Sequence, residues 1–501
     1  MLIGRNEEKE TLLSLLEKDE SQFCAVYGRR RVGKTFLIKE TFDYHFAFYH
    51  TGVANASKKE QLTEFRESLR KAGLKRCKMP RTWFEAFHLL EDLLEQSQDE
   101  KKIVFIDELP WMDTAKSNFI SALEHFWNGW CNFRKDIILV VCGSATSWII
   151  NKIIRDHGGL HNRLTNRVYL QPFTLKECEQ YANALQLNLS RKEIAEAYMI
   201  MGGIPYYWSF MKRGESMAQN IDRLFFAKNS PLSTEFDALY ASLFKHSNAY
   251  IEIVTALAMK KAGMTRNELL ENTSRYDNAV FKKVLDELEQ CNFIRKYYAI
   301  GKKERDAVYQ LMDNFTLFYF RYIQNNTTHD EQFWSNNYAT PAHQAWAGLA
   351  FERLCLWHLP QIKAALGIAG VVTSAYSWRA EANEEHEAAQ IDLLIDRKDN
   401  VINLCEMKYH DGRYSITGIA SVYCPRHDVA GRSALQMSDA SSVRDSRAAG
   451  NRMSCTCTTT LPDACCNPSV RCPSVRPLHM TGSRRYSTRC GNAPSRPGAP
   501  G

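Results

Sequence analysis

Long apolar runs are missing from this 501-residue chain. The longest, such as IILVVC at 137–142, are far too short to cross a bilayer. The opening residues, MLIGRNEEKETLL, hold no apolar stretch of the signal-peptide kind. Residues 1–410 contain no CxxC pair, and their eight cysteines are scattered as reduced, buried thiols would be. The expectation is a soluble, cytoplasmic protein with no membrane partner. A surplus of one charge is missing as well, although the formal total of +7 hides it. Residues 411–501 hold 12 arginines, five aspartates, no lysine and no glutamate, which accounts for the whole surplus. The first 410 residues therefore balance, with 64 less 12, or 52, basic side chains against 57 less five, or 52, acidic ones. Charge gives no argument for a nucleic-acid partner. What is present is enough apolar text, 45% of the chain, to bury two to three cores of ordinary size.

The first chemical signal is FCAVYGRRRVGKTFLIKE at 23–40, where Gly28-x4-Gly33-Lys34-Thr35 follows an apolar run and precedes a helical pattern. That is the setting of a phosphate loop. The backbone of Gly28, Arg29, Arg30, Arg31, Val32 and Gly33 curls around the phosphates of ATP. Lys34 reaches the β and γ oxygens, and Thr35 offers a hydroxyl to Mg²⁺.

A second signal, KKIVFIDELPW at 101–111, is a buried strand ending in Asp107 and Glu108. Asp107 is expected at the metal and Glu108 as the base that deprotonates the attacking water. The strand DIILVVCGSATSW at 136–148 offers Ser144 or Thr146 to the γ-phosphate from between the other two. HGGLHNRLTNRVYL at 157–170 supplies Arg163 and Arg167; one of them reaches a phosphate in cis or in a neighbouring subunit, or both are ordinary surface side chains. Strands near 23–27, 46–50, 103–107, 137–142 and 166–170 alternate with helices such as 57–73, 82–96 and 116–131, which predicts a parallel sheet with right-handed crossovers. TLKE (174–177), SRKE (190–193) and TRNE (265–268) are capping boxes that mark later helix starts.

These motifs resemble the prokaryotic AAA+/STAND-type ATPases known as the archaeal ATPase family. The resemblance is carried by IGRNEEKETL (3–12), GRRRVGKT (28–35), IVFIDELPW (103–111), VCGSATSWI (141–149), LQPFTLKECEQY (170–181) and GGIPYYW (202–208). It implies that Gly4 and Arg5 form an N-terminal box near the adenine and that Ser144 is the sensor. It also implies that Gly203, Ile204 and Pro205 are a lid turn closing on the nucleotide. The expected architecture is α/β, with a P-loop NTPase parallel sheet at 1–172 and a helical lid at 173–245. A winged helix at 246–325 and a restriction-endonuclease-like α/β domain at 335–410 follow.

The winged helix is read from a helix around Ile253, Val254 and Leu257 stopped by Gly263, from helices in 265–274 and 278–294, and from a wing hairpin turning at Gly301-Lys302. Its third helix balances Lys282 and Lys283 against Asp286, Glu287 and Glu289. Only the wing is basic, through Arg295, Lys296, Lys302, Lys303 and Arg305. A weak, sequence-indifferent DNA contact and a purely protein-packing role are both open.

Behind it, HQAWAGLAFERLCLWHL (343–359) is a helix carrying Glu352, and AQIDLLIDRKDNVINLCEMKYH (389–410) reads as two strands. Asp392 lies on the first. Glu406 and Lys408, two apart on the second, share a face. The pattern resembles the PD-(D/E)xK nucleases, in which the carboxylates hold Mg²⁺ and the lysine helps activate water. Two readings stay beside it, a fold kept for binding only and a plain pair of edge charges. Residues 411–501 turn to Ser, Arg, Cys, Pro and Gly. They are expected to be an out-of-frame, disordered tail that truncates the nuclease-like domain; a metal role for Cys455, Cys457, Cys465 and Cys466 has no zinc-site spacing. The leading expectation is an ATP-hydrolysing protein coupling nucleotide state to these modules, in defence or mobile-element biology, with an unknown protein partner or as a homo-oligomer. The alternatives are a non-catalytic nucleotide switch and a DNA-binding regulator with an inactive nuclease-like domain.

Overall fold

The computed structural model describes residues 2–155, 159–160, 162–244, 246–274, 278–298, 307–326, 329–380, 389–409, 441–442 and 454–460. The expected wing turn at Gly301-Lys302, with Lys302, Lys303 and Arg305, lies outside them. So do Cys465, Cys466 and most of the stretch expected as a tail.

The three central strands of the first sheet are short and apolar almost throughout, as strands covered on both faces require, while the two edge strands, FYHT and NRVY, mix polar with apolar residues. β1 (Gln22–Tyr27), β2 (Phe48–Thr51), β3 (Lys102–Asp107), β4 (Ile137–Gly143) and β5 (Asn166–Tyr169) lie parallel in the order β2-β3-β4-β1-β5. All five expected strands are present, and β4 sits between the strand leading to the phosphate loop and the strand ending in Asp107. Alternate residues serve two cores. Phe23, Ala25, Val104 and Leu139 pack against the helices Lys58–Lys71, Trp83–Gln96 and Phe119–Gly129. Cys24, Val26, Phe105 and Val140 face the helices Asn6–Leu13 and Lys34–Thr41 and a larger core beyond them. The register pairs Tyr27 with Gly143 and Thr51 with Asp107, so the carboxyl ends of β1, β3 and β4 open at one edge, where a parallel sheet places its ligands.

The helices Leu175–Ala184 and Arg191–Met201 start at the capping boxes Thr174/Glu177 and Ser190/Glu193. A third box, Thr265/Glu268, starts Arg266–Glu271. Residues 246–325 run as helix Ser247–Met259, β6 (Met264–Thr265), helices Arg266–Glu271 and Asn278–Gln290, then β7 (Ile294–Tyr297) and β8 (Val308–Leu311). The three strands form one antiparallel sheet ordered β6-β8-β7.

Helix Pro341–Trp357 carries Glu352 and packs on an antiparallel sheet of β9 (Thr373–Ala380), β10 (Ala389–Arg397) and β11 (Ile402–Lys408). Two strands were expected here. β9 is additional, and β12 (Ser441–Ser442) and β13 (Ser454–Thr460) extend the sheet beyond β11. At those residues the expectation of a structureless tail is corrected: β11 presents an unpaired edge, and the threonine-rich run at 456–460 has the β-branched character to pair with it. No helix among the described residues is long and apolar enough to cross a membrane.

Candidate active site

The loop after β1 turns through two left-handed residues, Arg31 at φ 70° and Gly33 at φ 92°. Gly28 has φ 145°, and a Cβ there would stand 2.2 Å from the Leu170 carbonyl oxygen, so only glycine fits. A Cβ added at Gly33 would meet nothing within 4 Å, so the loop borders open space. Lys34 is buried under the loop, and its Nζ donates to the carbonyls of Gly28 and Arg29 at 2.9 Å each. Its described hydrogen bonds go to carbonyls alone, which leaves the positive charge available to an anion.

Thr35 and Asp107, 72 positions apart, meet as the motif spacing implied: Thr35 Oγ1 donates to Asp107 Oδ2 at 2.8 Å. Asp107 Oδ1 accepts the Glu108 amide at 2.9 Å. Between the strands the Cys142 thiol is pushed up by burial and then by Asp107, so it stays neutral. Glu108 adopts φ 47°, a sparsely populated backbone state for a residue with a side chain, of the kind that functional sites retain. Its Oε2 accepts from the Ser144 amide at 3.2 Å and the Ser144 hydroxyl at 2.9 Å. The helix after β1 thus contributes one hydroxyl, the end of β3 two carboxylates and the end of β4 a second hydroxyl to a single edge. Thr146, the other candidate on β4's end, is fully buried with its hydroxyl unpartnered.

The arginines of the loop point elsewhere. Arg29 is 4% exposed and pairs with Asp313 at 2.5 Å, with its guanidinium 4.7 Å above the Phe293 ring. Its Nε and one terminal nitrogen have no partner. Arg31 pairs with Glu235 and lies 4.1 Å over Tyr206, and the same Glu235 accepts from Tyr207 at 2.7 Å. Arg30 is exposed. The backbone of 28–33 keeps the shape of a phosphate cradle, while the side chains of Arg29 and Arg31 tie it to the segment after β8 and to helix Glu235–Leu243.

Gly4 and Arg5 lie where the sheet meets the helix Leu175–Ala184 that follows β5. Arg5 donates to the Gln171 carbonyl at 2.7 Å, stacks 4.5 Å over Phe173, and gives its amide to Glu177. Phe173 in turn donates its amide to Gly203 at 2.6 Å, and a Cβ at Gly203 would stand 1.9 Å from the Phe173 oxygen. Pro205 opens the short helix Pro205–Trp208 directly behind that contact. The chain 170–173 therefore touches Gly28 on one side and Gly203 on the other.

Arg163 is placed differently from expectation. β5 pairs Asn166 with Cys24 near the start of β1, so Arg163, just before β5, lies exposed at the amino edge of the sheet. The phosphate loop is at the opposite edge, about 15–20 Å away along a six-residue strand. A role in this chain's own site is excluded by that separation. Arg167, opposite Ala25, lies within electrostatic reach of Tyr27.

At the second expected site, Asp392 lies where the β9–β10 register slips, and its Oδ2 accepts the Met407 amide at 2.9 Å. Glu406 and Lys408 pair at 2.9 Å with side chains 59% and 45% exposed. Burial, then the Asp392 charge, pushes the Glu352 carboxyl up. Among the described residues no three metal-binding side chains cluster. The partners that sequence reasoning missed are Asp313, Glu235 and Phe293, which belong to no local motif, and Tyr206, which lies within GGIPYYW but carried no expected role.

Residues 2–209 match a protein family described as an ATPase domain predominantly from Archaea. Over 418 residues the chain is 24% identical to the uncharacterized protein MJECL04 of Methanocaldococcus jannaschii, covering 82% of this chain and 88% of that one. Similar solved structures include the Walker-type ATPase PABY2304 of Pyrococcus abyssi, 17% identical with a TM-score of 0.44, over 64% of this chain and 96% of that one. The ORC2 protein of Aeropyrum pernix is 12% identical with a TM-score of 0.38, over 66% and 96% of the two chains. Over residues 2–209 the chain is thus similar to an ATPase domain predominantly from Archaea.

Proposed function

We propose that this chain binds ATP with Mg²⁺ at the loop 28–35, hydrolyses it, and uses the nucleotide to set how the lid and residues 246–325 hold that loop. The observation that carries the reading is the meeting of Thr35 with Asp107 at 2.8 Å beside a Glu108 pinned by Ser144 at 2.9 Å. The loop backbone and Lys34 would take the phosphates, and Thr35 with Asp107 would hold the metal. The ion supplies positive charge that polarises the phosphoryl group. Glu108 takes the proton of the attacking water, and Ser144 orients it. Gly4, Arg5 and Pro205 belong to the wall between sheet and lid.

The order helix, strand, helix, helix, strand, strand in 246–325 supports a winged helix. Of its described wing cations, Arg295 donates to Gln310 at 2.7 Å, which favours packing over a DNA-reading role. The nuclease-like corner is inferred to be non-cleaving: Asp392 is committed to a backbone amide and Glu406 to Lys408. The ion pairs Arg29–Asp313 and Arg31–Glu235 favour a second reading, a nucleotide-dependent switch acting through protein contact. Turnover of ATP, with and without DNA, separates the two. Glu108→Gln should retain ATP binding and lose about a hundredfold in rate; a wild-type rate in that variant sinks the hydrolytic reading.

A further inference from the structure

Asn314 follows directly on Asp313, the partner of Arg29. It is 3% exposed, and its Nδ2 donates to the Tyr198 carbonyl at 2.6 Å. A carbonyl partner fixes the amide's orientation and leaves Oδ1 as a buried acceptor with no donor. Asn314 lines a cavity of about 360 Å³, within the range of small-molecule sites. Its walls are apolar: Leu257 from helix Ser247–Met259, Leu311 from β8, and Trp346 and Leu349 from helix Pro341–Trp357.

The charges lining it have one sign. Lys261, Arg321 and Arg353 face the cavity, and no carboxylate among the described residues does. Arg353 is 6% exposed; it donates to the carbonyls of Leu311 and Lys261, while its remaining terminal nitrogen stands 3.9 Å from Glu352, beyond hydrogen-bond reach. Arg295 lies within electrostatic reach, its guanidinium pushed down to about 10 by burial and then by the charge of Arg353. Arg353 is buried and Arg295 half-buried, and Glu352, 3.9 Å from Arg353, is a single carboxylate against the two.

We propose that this cavity binds a small amphipathic organic anion, with an apolar body among Leu257, Leu311, Trp346 and Leu349 and its anionic group toward Lys261, Arg321 and Arg353. The site lies outside the phosphate loop, and binding there does not depend on ATP chemistry. Because Asn314 adjoins the Asp313–Arg29 pair, an occupant also sits one residue from the loop's latch; that consequence alone rests on the nucleotide reading.

The test is calorimetric titration of the full-length chain with N-octanoylglycine, which carries an apolar tail, an amide N–H and a carboxylate. Its neutral carboxamide should bind at least about tenfold more weakly, the difference between a charge-assisted and a neutral contact. Ala258→Phe, which places a ring in the cavity, should abolish binding while circular dichroism shows an intact fold. Should that variant unfold, Arg321→Gln on the exposed rim decides: a loss of about fivefold supports the site, and none refutes it. No heat with the acid, equal affinity for acid and carboxamide, or undiminished binding in a folded Ala258→Phe variant each overturns the assignment.

Discussion

The edge of the parallel sheet and the β10–β11 corner each offer carboxylates beside a cation, yet they are built differently. At the sheet edge the groups come from the helix after β1 and the ends of β3 and β4: Thr35 reaches Asp107 across 72 positions and Ser144 reaches Glu108 across 36. Each bond draws on a buried or half-buried partner whose backbone is fixed by a parallel ladder. At the corner, Glu406 and Lys408 are next-but-one neighbours on one strand, both exposed, and they satisfy each other. Long-range assembly from rigid elements leaves side chains aimed at a shared space, while local pairing consumes the groups it brings together. The comparison teaches that a motif's residues become a site only when the fold prevents them from neutralising one another.

The largest effect that could break this contrast is loss of nucleotide chemistry at one place and not the other. Lys34→Ala should abolish ATP binding, since it removes the cation under the loop. Glu108→Gln should bind normally and turn over at least about a hundredfold more slowly. Asp392→Ala and Glu406→Ala should leave the rate within about twofold, as should removal of residues 411–501, because every residue invoked at the loop precedes residue 314. Steady-state hydrolysis and a nucleotide-binding titration on the same preparations read all of these.

The next effect concerns the latch. Asp313→Ala leaves Arg29 buried without its counter-ion, and such a loss costs about 3–5 kcal/mol. Asp313 also accepts from the Thr316 amide at 2.9 Å, so part of the loss is a helix cap. The double variant Arg29→Met with Asp313→Asn should recover most of the difference in urea unfolding. Equal destabilisation of the single and double variants would show that the pair is not the source.

Much of the sheet-edge site was legible because its residues sit in contiguous motifs whose strand and helix context the apolar pattern supplies. The position of β4 between β1 and β3 also followed, since a strand ending in Gly143 and Ser144 has work to do only there. Asp313 and Glu235 were not legible. They lie 284 and 204 positions from their arginines, and nothing in DNF or TEF marks a side chain destined for a phosphate loop. Arg163 misled although the expected parallel sheet already placed it: a residue just before a parallel strand lies at the edge opposite the loop that follows β1. β13 was missed because composition describes a segment's own tendency, while pairing here is set by the open edge of β11.

A smaller effect tests burial on the sheet itself. His50 on β2 is 2% exposed, with Nδ1 at 2.9 Å from Ser68 Oγ and Nε2 unpartnered. Burial lowers its pKa from 6.5 to about 4. The unfolded chain therefore takes up its proton near 6.5 and the folded chain only near 4. The neutral ring's contribution is complete above pH 6.5 and is lost progressively as pH falls toward 4, by about 3 kcal/mol in all. Unfolding midpoints at pH 7 and pH 4.5 should differ accordingly, and His50→Gln should remove that part of the slope. An unchanged slope would mean that other groups govern acid sensitivity.

The smallest effect belongs to the corner. Glu406 and Lys408 lie 2.9 Å apart, but 59% and 45% of their side chains face solvent. Water screens the attraction, and holding two long side chains in one geometry costs rotamer freedom, so an exposed pair contributes about 0–1 kcal/mol. Lys408→Ala should shift unfolding by no more than about 0.5 kcal/mol, and raising salt should erase even that. Lys102 and Asp136 supply the internal control, because the same chemistry at 2.6 Å is only 9% and 22% exposed there. Burial works against the Asp136 anion, yet Arg134 and Lys102 hold its pKa at about 2. Lys102→Ala should therefore cost several times more than Lys408→Ala in the same unfolding assay. If Lys408→Ala proved the costlier of the two, the corner would have to be a buried, ordered site, and the contrast between the two ends of the molecule would fall.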